Sequence, residues 1–221
     1  MLHGKQIMDG TVDAAAKLTG SASGDLGGTY PSPSVIKIRG RSVQDHTPQD
    51  GEVYRWISAQ SRFEPRKSQR LVHTVIADAE SSGSSETDLM SYSMPAGVMD
   101  TDGDQLVVEA FGRFHASGDN FRVRAYLGST ELFDSVSIAS ADGADKGWHL
   151  RGFITRRDRT VQRSIFVFSF GFGGSFTTVL DKAAAEDLKS SVTVKVTGQG
   201  QGTVADVSLR GGFVEHRPAP I

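Results

Sequence analysis

A period of two constrains this chain more than any other feature. From about residue 105 onward, apolar side chains recur at every second position in short runs, and each run ends at a cluster of Asp, Gly, Ser or Asn. Leu106, Val108, Ala110 and Phe114 share one face, while Glu109, Arg113 and His115 share the other with Val107 and Phe111. After the turn residues Ala116 to Asn120, Phe121, Val123, Ala125 and Leu127 alternate with Arg122, Arg124 and Tyr126. Such runs bury one face and solvate the other, which predicts an antiparallel hairpin.

The pattern then repeats. Strands are predicted over residues 132–138, 148–155, 161–172, 192–197 and 205–213, with turns at Asp142-Gly143 and at Arg156 to Thr160. In the last of these, Ala205, Val207, Leu209 and Phe213 are assigned to one face. Turns spaced by about 8–12 residues are what a sandwich or barrel requires. Residues 35–38, 53–57 and 71–76 are earlier strand candidates. Residues 181–189 read as a helix, with Asp181 as N-cap before an alanine run, and residues 9–18 as a short marginal one.

The run 161–172 bears on assembly. Phe166, Phe168, Phe170 and Phe172 fall on one face, while Val161, Ile165 and Val167 fall on the other, so neither face suits water. A strand of this kind puts one face in the core and covers the other with a second subunit or with its own chain, for instance residues 181–189. The expectation is a subunit interface formed by Phe166, Phe168, Phe170 and Phe172.

Composition narrows the function classes. A net charge of −2 leaves no global excess of Lys or Arg for coating nucleic acid. The absence of Cys removes disulfides, thiolate nucleophiles and Cys-ligated metals together. No apolar run is long enough to span a bilayer, and residues 1–10 carry no apolar export segment. No cofactor is expected. Residues 1–34 are poor in large apolar side chains, and Tyr30-Pro31-Ser32-Pro33 imposes extended backbone. Residues 1–42 are therefore read as an arm that orders on a neighbouring surface, and residues 43–221 as the folded domain.

That arm contains Gly24-Asp25-Leu26-Gly27-Gly28-Thr29-Tyr30-Pro31-Ser32-Pro33-Ser34-Val35. The segment resembles the GDLSGTYPNPTV element of phage tail-fibre and head-fibre proteins, with Gly27, Ser32 and Ser34 as the departures. His3 to Ile7 with Asp13 to Leu18 resembles the opening that often precedes it, and the body from Leu89 to Phe170 is similar in layout to trimeric jelly-roll modules of phage fibres and spikes. The resemblance implies an all-β, antiparallel jelly-roll sandwich assembled as a TNF-like homotrimer with an extended N-terminal arm. It also implies a non-enzymatic protein on the virion surface, made in the host cytoplasm. Capsid or tail proteins would be the partners, and the matching residues Gly24, Asp25, Leu26, Gly28, Thr29, Tyr30, Pro31 and Pro33 the attachment element.

The sequence carries few patterns that chemistry needs. Asp100, Asp102 and Asp104 begin like a calcium loop, but there is no Gly at the sixth position, and Phe111 stands where a bidentate Glu belongs. The glycine clusters at 171–174 and 198–202 lack a following helix start and so cannot cradle a phosphate. The six His show no paired metal-ligand spacing, and no Ser lies in a nucleophile elbow. Arg151, Arg156, Arg157, Arg159 and Arg163 flank one hairpin tip, as contacts for an acidic surface or as charge that keeps a strand edge from pairing. A second function remains open, recognition of host cell-surface glycan, with Trp56, Tyr126 or Trp148 as the stacking aromatics.

Overall fold

The computed structural model describes residues 20–47, 49, 51–115, 120–139, 145–171, 175–201 and 204–219. The expected helix at 9–18, the turn at Asp142-Gly143 and Phe172 lie outside them. Backbone contacts divide the chain into two units, up to Lys67 and from Ser68.

In the first unit, β1 (Leu26–Gly27) pairs with β2 (Ser34–Val35), β3 (Lys37–Ile38) with β4 (Arg41–Ser42), and β5 (Glu52–Ile57) with β6 (Arg62–Lys67). The boundary falls later than residue 42 because the β5–β6 hairpin is tied to what precedes it. Val43 bridges Phe63, Gln44 N–H donates to the Phe63 carbonyl at 2.8 Å, and the Arg41 guanidinium sits 4.6 Å from the Trp56 ring centre.

The second unit contains β7 (Arg70–Val75), β8 (Ala79–Ser82), β9 (Thr87–Met94), β10 (Gln105–Phe114), β11 (Asn120–Leu127), β12 (Thr130–Asp134), β13 (Ile138–Ala139), β14 (Lys146–Asp158), β15 (Val161–Gly171), β16 (Ser175–Ala184), β17 (Val192–Gln199) and β18 (Val204–Arg217). The large sheet runs β16-β15-β14-β10-β18-β7 with β8 also on β18; the small sheet runs β12-β11-β17-β9 with β13 on β11. Every pairing is antiparallel. The chain crosses between sheets at β8 to β9, β9 to β10, β10 to β11, β13 to β14, β16 to β17 and β17 to β18. The orders β7-β18-β10-β14 and β9-β17-β11-β12 are therefore those of a jelly roll, with the β15–β16 hairpin widening the large sheet.

The period-two reading locates the core correctly in β10, β11 and β17: Leu106, Val108, Ala110, Phe114, Phe121, Val123, Ala125, Leu127, Val192, Val194 and Val196 are all buried in one cluster. In β18 the alternation slips. Gly112 pairs with Leu209 and Phe111 with Gly211, so Arg210 is an extra, bulged residue. Beyond it the phase inverts, Val214 enters the core and Phe213 leaves it.

Two further expectations are corrected. The segment 181–189 is not helical: its first four residues end β16, which pairs with β15 from Gln162↔Ala184 to Gly171↔Ser175. Alanine favours helix over most residues by only roughly a few tenths of a kcal/mol each, and the open edge of β15, which offers ten ladder positions, overrides it. The Phe ladder also points inward. Phe166 and Phe168 are about 1% exposed and lie within 6.1 and 5.4 Å of the Phe133 ring centre, and Phe170 packs partly buried against the same cluster. Gly152, opposite Phe166, makes this possible, since a Cβ there would lie 2.0 Å from the Phe166 ring. These side chains are core, not a trimer interface.

Candidate functional site

The strands leave two outer faces, and their chemistry differs. On the small sheet, β11 turns Arg122, Arg124 and Tyr126 outward, opposite Gln199, Thr197 and Lys195 of β17. Arg124 is only 7% exposed, and a buried guanidinium needs partners. Its Nη1 lies 2.8 Å from Glu86, its Nη2 donates to Gln199 Oε1 at 3.0 Å, and Asp134 and Glu131 stand 3.7 and 3.8 Å from its Nε. Arg122 Nε donates to Asp134 at 2.7 Å, Lys182 Nζ to Glu131 at 3.0 Å, and Lys195 Nζ to Asp88 at 3.1 Å.

This network sets its own protonation. Burial works to raise the Glu86 carboxyl, but hydrogen bonds from Thr197 and Tyr126, with the Arg124 charge, outweigh it and hold the group below its usual range. Asp134 is held low in the same way, by Arg122 and the Val136 N–H against burial. Burial and the bond to Glu86 push the Tyr126 phenol above the ordinary tyrosine range. Four cations, Arg122, Arg124, Lys182 and Lys195, face four anions, Glu86, Asp88, Glu131 and Asp134. The face is polar, balanced and filled. Its donors and acceptors suit hydroxyl groups, and the Tyr126 ring carries Lys195 Nζ 5.0 Å from its centre.

The outer face of the large sheet is different. Across one level Ile165 of β15 lies beside Phe153 of β14, and at the next Val167 lies beside Arg151. Val161, Ile165, Val167 and Phe111 are 45, 44, 38 and 45% exposed. Polar groups are interleaved: the Arg151 guanidinium approaches the Phe153 ring, and Glu109 meets His149 at 3.2 Å and Arg151 at 3.5 Å. A shallow cleft at the end of this sheet is lined by Gly147, Trp148, His149, Ser169, Phe170 and Gly171.

Of the three aromatics expected to stack on ligand, the structure keeps one at a polar surface. Tyr126 belongs to the small-sheet network. Trp148 is corrected: it is 2% exposed, donates Nε1–H to the Ser208 carbonyl at 3.1 Å and stacks between Phe114 and Phe168. Trp56 lies in the first unit between Arg41 and Phe63. The acidic turn has a structural task, because Asp104 accepts from the N–H groups of Thr101 at 3.0 Å and Ala219 at 2.8 Å and lies 3.7 Å from buried His216. The basic hairpin tip is largely neutralised: Arg156 binds Asp102 and the Met99 carbonyl, and Arg159 binds Asp187 at 2.8 and 2.9 Å. The network around Glu86 escaped sequence reading. Alternation marks Arg122, Arg124 and Tyr126 as outward, but nothing local shows that a loop before β9 supplies their anion.

The attachment element is folded on itself. Asp25 accepts the N–H groups of Arg39 at 2.7 Å and Gly40 at 2.8 Å through its side chain, and those of Ile36 at 2.9 Å and Lys37 at 3.1 Å through its carbonyl. Gly28 has φ +85°, a conformation that favours glycine, and a Cβ on Gly27 would press on Ile36 at 2.9 Å. Leu26 is in β1, Thr29 bridges Ser21, and Tyr30 N–H donates to Gly20 O at 3.0 Å before Pro31 and Pro33 lead into β2. Beside this element Val35, Ile36 and Ile38 stand exposed.

No family model and no curated protein matches the chain. Solved structures similar to it at a low level include a lectin and a phage module. The lectin UEA-II complexed with galactose shares 8% identity with a TM-score of 0.29, covering 64% of this chain and 86% of the lectin. The CBM2 module of the evolved Dit of Lactobacillus casei BL23 phage J-1 shares 9% identity with a TM-score of 0.26, covering 62% and 74%. Neither superposes closely enough to carry an argument about this protein.

Proposed function

We propose that the protein is a non-enzymatic structural component of a bacteriophage particle, a homotrimeric surface spike, fibre or capsid decoration. Its first unit attaches to a capsid or tail protein, and its jelly rolls stand on the virion surface. The observation that carries this reading is the compact element at residues 24–35. Matching residues of the phage fibre element carry structural tasks here: Asp25 accepts from four N–H groups, Gly28 takes the positive φ, and the fold sets Val35, Ile36 and Ile38 outward, while Gly27, a departure from the element, leaves room for Ile36. Attachment then uses the exposed apolar side chains, and the motif residues shape the element that presents them. A chain beginning at Ser68 is expected to lose binding to particles that lack the protein, and Asp25→Ala in the full chain to weaken it at least tenfold. Binding by both at the level of the unaltered chain would overturn the reading.

One observation favours a second reading, recognition of host cell-surface glycan at a tail tip. The small-sheet face sets Tyr126 among charged donors and acceptors of the kind that hold sugar hydroxyls. A sugar ring stacking on Tyr126 must displace Lys195. A glycan array separates the readings: a decoration protein binds none, while a receptor-binding protein gives a signal that Tyr126→Ala removes.

A further inference from the structure

We infer that the outer face of the large sheet, centred on Ile165 and Val167, is where a second copy of this chain docks. The inference rests on the homotrimer in the reading above and gives it a surface. It replaces the Phe ladder with the opposite side of the same strand.

In the second unit, the large hydrophobic residues left exposed among those described are Leu71, Ile76, Phe111, Val136, Val161, Ile165 and Val167. Register assigns Phe111, Ile165 and Val167 to one side of the sheet, Val161 shares their phase on β15, and Leu71 is opposite Glu215 on the same side. The small sheet's outer face contributes none. Solvent exposure alone would not sort them so unevenly.

The occupant follows from charge and size. Arg151 and Arg163 alternate with Glu109 and Asp181 around the apolar stripe, so a partner of one sign, such as nucleic acid or an anionic membrane, meets repulsion with every attraction. A neighbouring copy related by a three-fold axis carries the same mixture of charges at its border, so it can set cation against anion. Three strands over roughly eight residues make a face of about 26 by 14 Å, of order 350 Å², on which Phe111, Phe153, Ile165 and Val167 are interleaved with Arg151, Arg163 and Glu109. That is about half of the ~800 Å² that each partner buries in a standard interface, and the charged border supplies the remainder as a polar rim.

The chain has no cysteine, so a single introduced thiol reports only on contacts between copies. Val167→Cys at micromolar concentration with a short bis-maleimide is expected to cross-link most chains into pairs, while Ser91→Cys, on the outer face of the small sheet, cross-links few. Ile165→Arg should convert the native oligomer to a monomer by sedimentation, with its β-type circular dichroism retained. Equal cross-linking at the two sites, or a wild-type chain that sediments as a monomer at about 10 μM, where a complex of about 1 μM Kd is mostly assembled, would overturn the inference. Particle attachment is scored separately on the first unit. A full-length chain that cross-links through Val167→Cys but binds no particles counts against the virion reading, not against this face.

Discussion

On the outer face of the small sheet, the alternate positions of β11 hold Arg122, Arg124 and Tyr126; on that of the large sheet, the alternate positions of β15 hold Val161, Arg163, Ile165 and Val167. The two strands belong to one sandwich, and both send aromatic side chains into its core, Phe121 from β11 and Phe166 and Phe168 from β15. Their outward residues differ in kind. The first set is saturated within its own subunit, with each described cation on an anion, and has nothing left to offer except by exchange. The second leaves aliphatic groups in water beside charges of both signs. A face that satisfies itself can present, whereas a face that does not must be completed from outside.

The largest effect that could break this contrast is expected at Arg124. Its guanidinium is buried among Glu86, Gln199, Glu131 and Asp134, so Arg124→Ala takes from Glu86 its nearest cation, while Asp134 keeps Arg122 and Glu131 keeps Lys182. Breaking a fully buried pair costs about 3–5 kcal/mol, and because the Glu86 carboxyl is partly exposed the expected cost here is lower, about 2–3 kcal/mol. Urea unfolding should show a fall of that size, and a loss under about 1 kcal/mol would mean that the small-sheet face is an ordinary solvated surface.

Acid sharpens the same contrast. Glu86, Asp104 and Asp134 are all held below their usual range in the folded protein, Asp104 because bonds from His216, Ala219 and Thr101 outweigh its burial. A depressed carboxylate stabilises the fold fully above its unfolded pKa, and that contribution fades as pH falls through the folded value. From these groups stability should hold from pH 7 to about 5 and decline below about 4, the ordinary carboxylate range. Asp134→Asn should flatten that decline. Denaturant midpoints measured from pH 7 to 2.5 decide it, and an unchanged slope in Asp134→Asn would remove the small-sheet network from the acid response.

How much of this was legible beforehand depends on whether the information was local. The inward faces of β10, β11 and β17 are written in alternation alone. Trp148 was legible too, because it shares its phase with Leu150 and Ile154, both buried, and the choice of an exposed role overlooked that. The inversion in β18 was not, since the bulge at Arg210 exists only against β10. For β15 both faces are apolar, and the deciding residue is Gly152, which sits opposite Phe166 only once β14 and β15 are in register. The same limit hid Glu86, whose partners Arg124 and Thr197 are far along the chain.

The smallest expected effect is the most discriminating for the large-sheet face. Arg151 is nearly half exposed, pairs with Glu109 at 3.5 Å and lies 5.6 Å from the Phe153 ring centre. In a single subunit Arg151→Ala should cost less than about 1 kcal/mol, because exposed pairs contribute little and His149 still meets Glu109. Between copies the same guanidinium loses its water and gains a facing carboxylate, so the substitution should weaken association by more than it weakens folding. The Ile165→Arg monomer provides the reference in which folding is measured alone. If Arg151→Ala shifts the thermal midpoint equally with and without Ile165→Arg, the residue is not at a contact between copies, and the aliphatic stripe beside it needs another explanation.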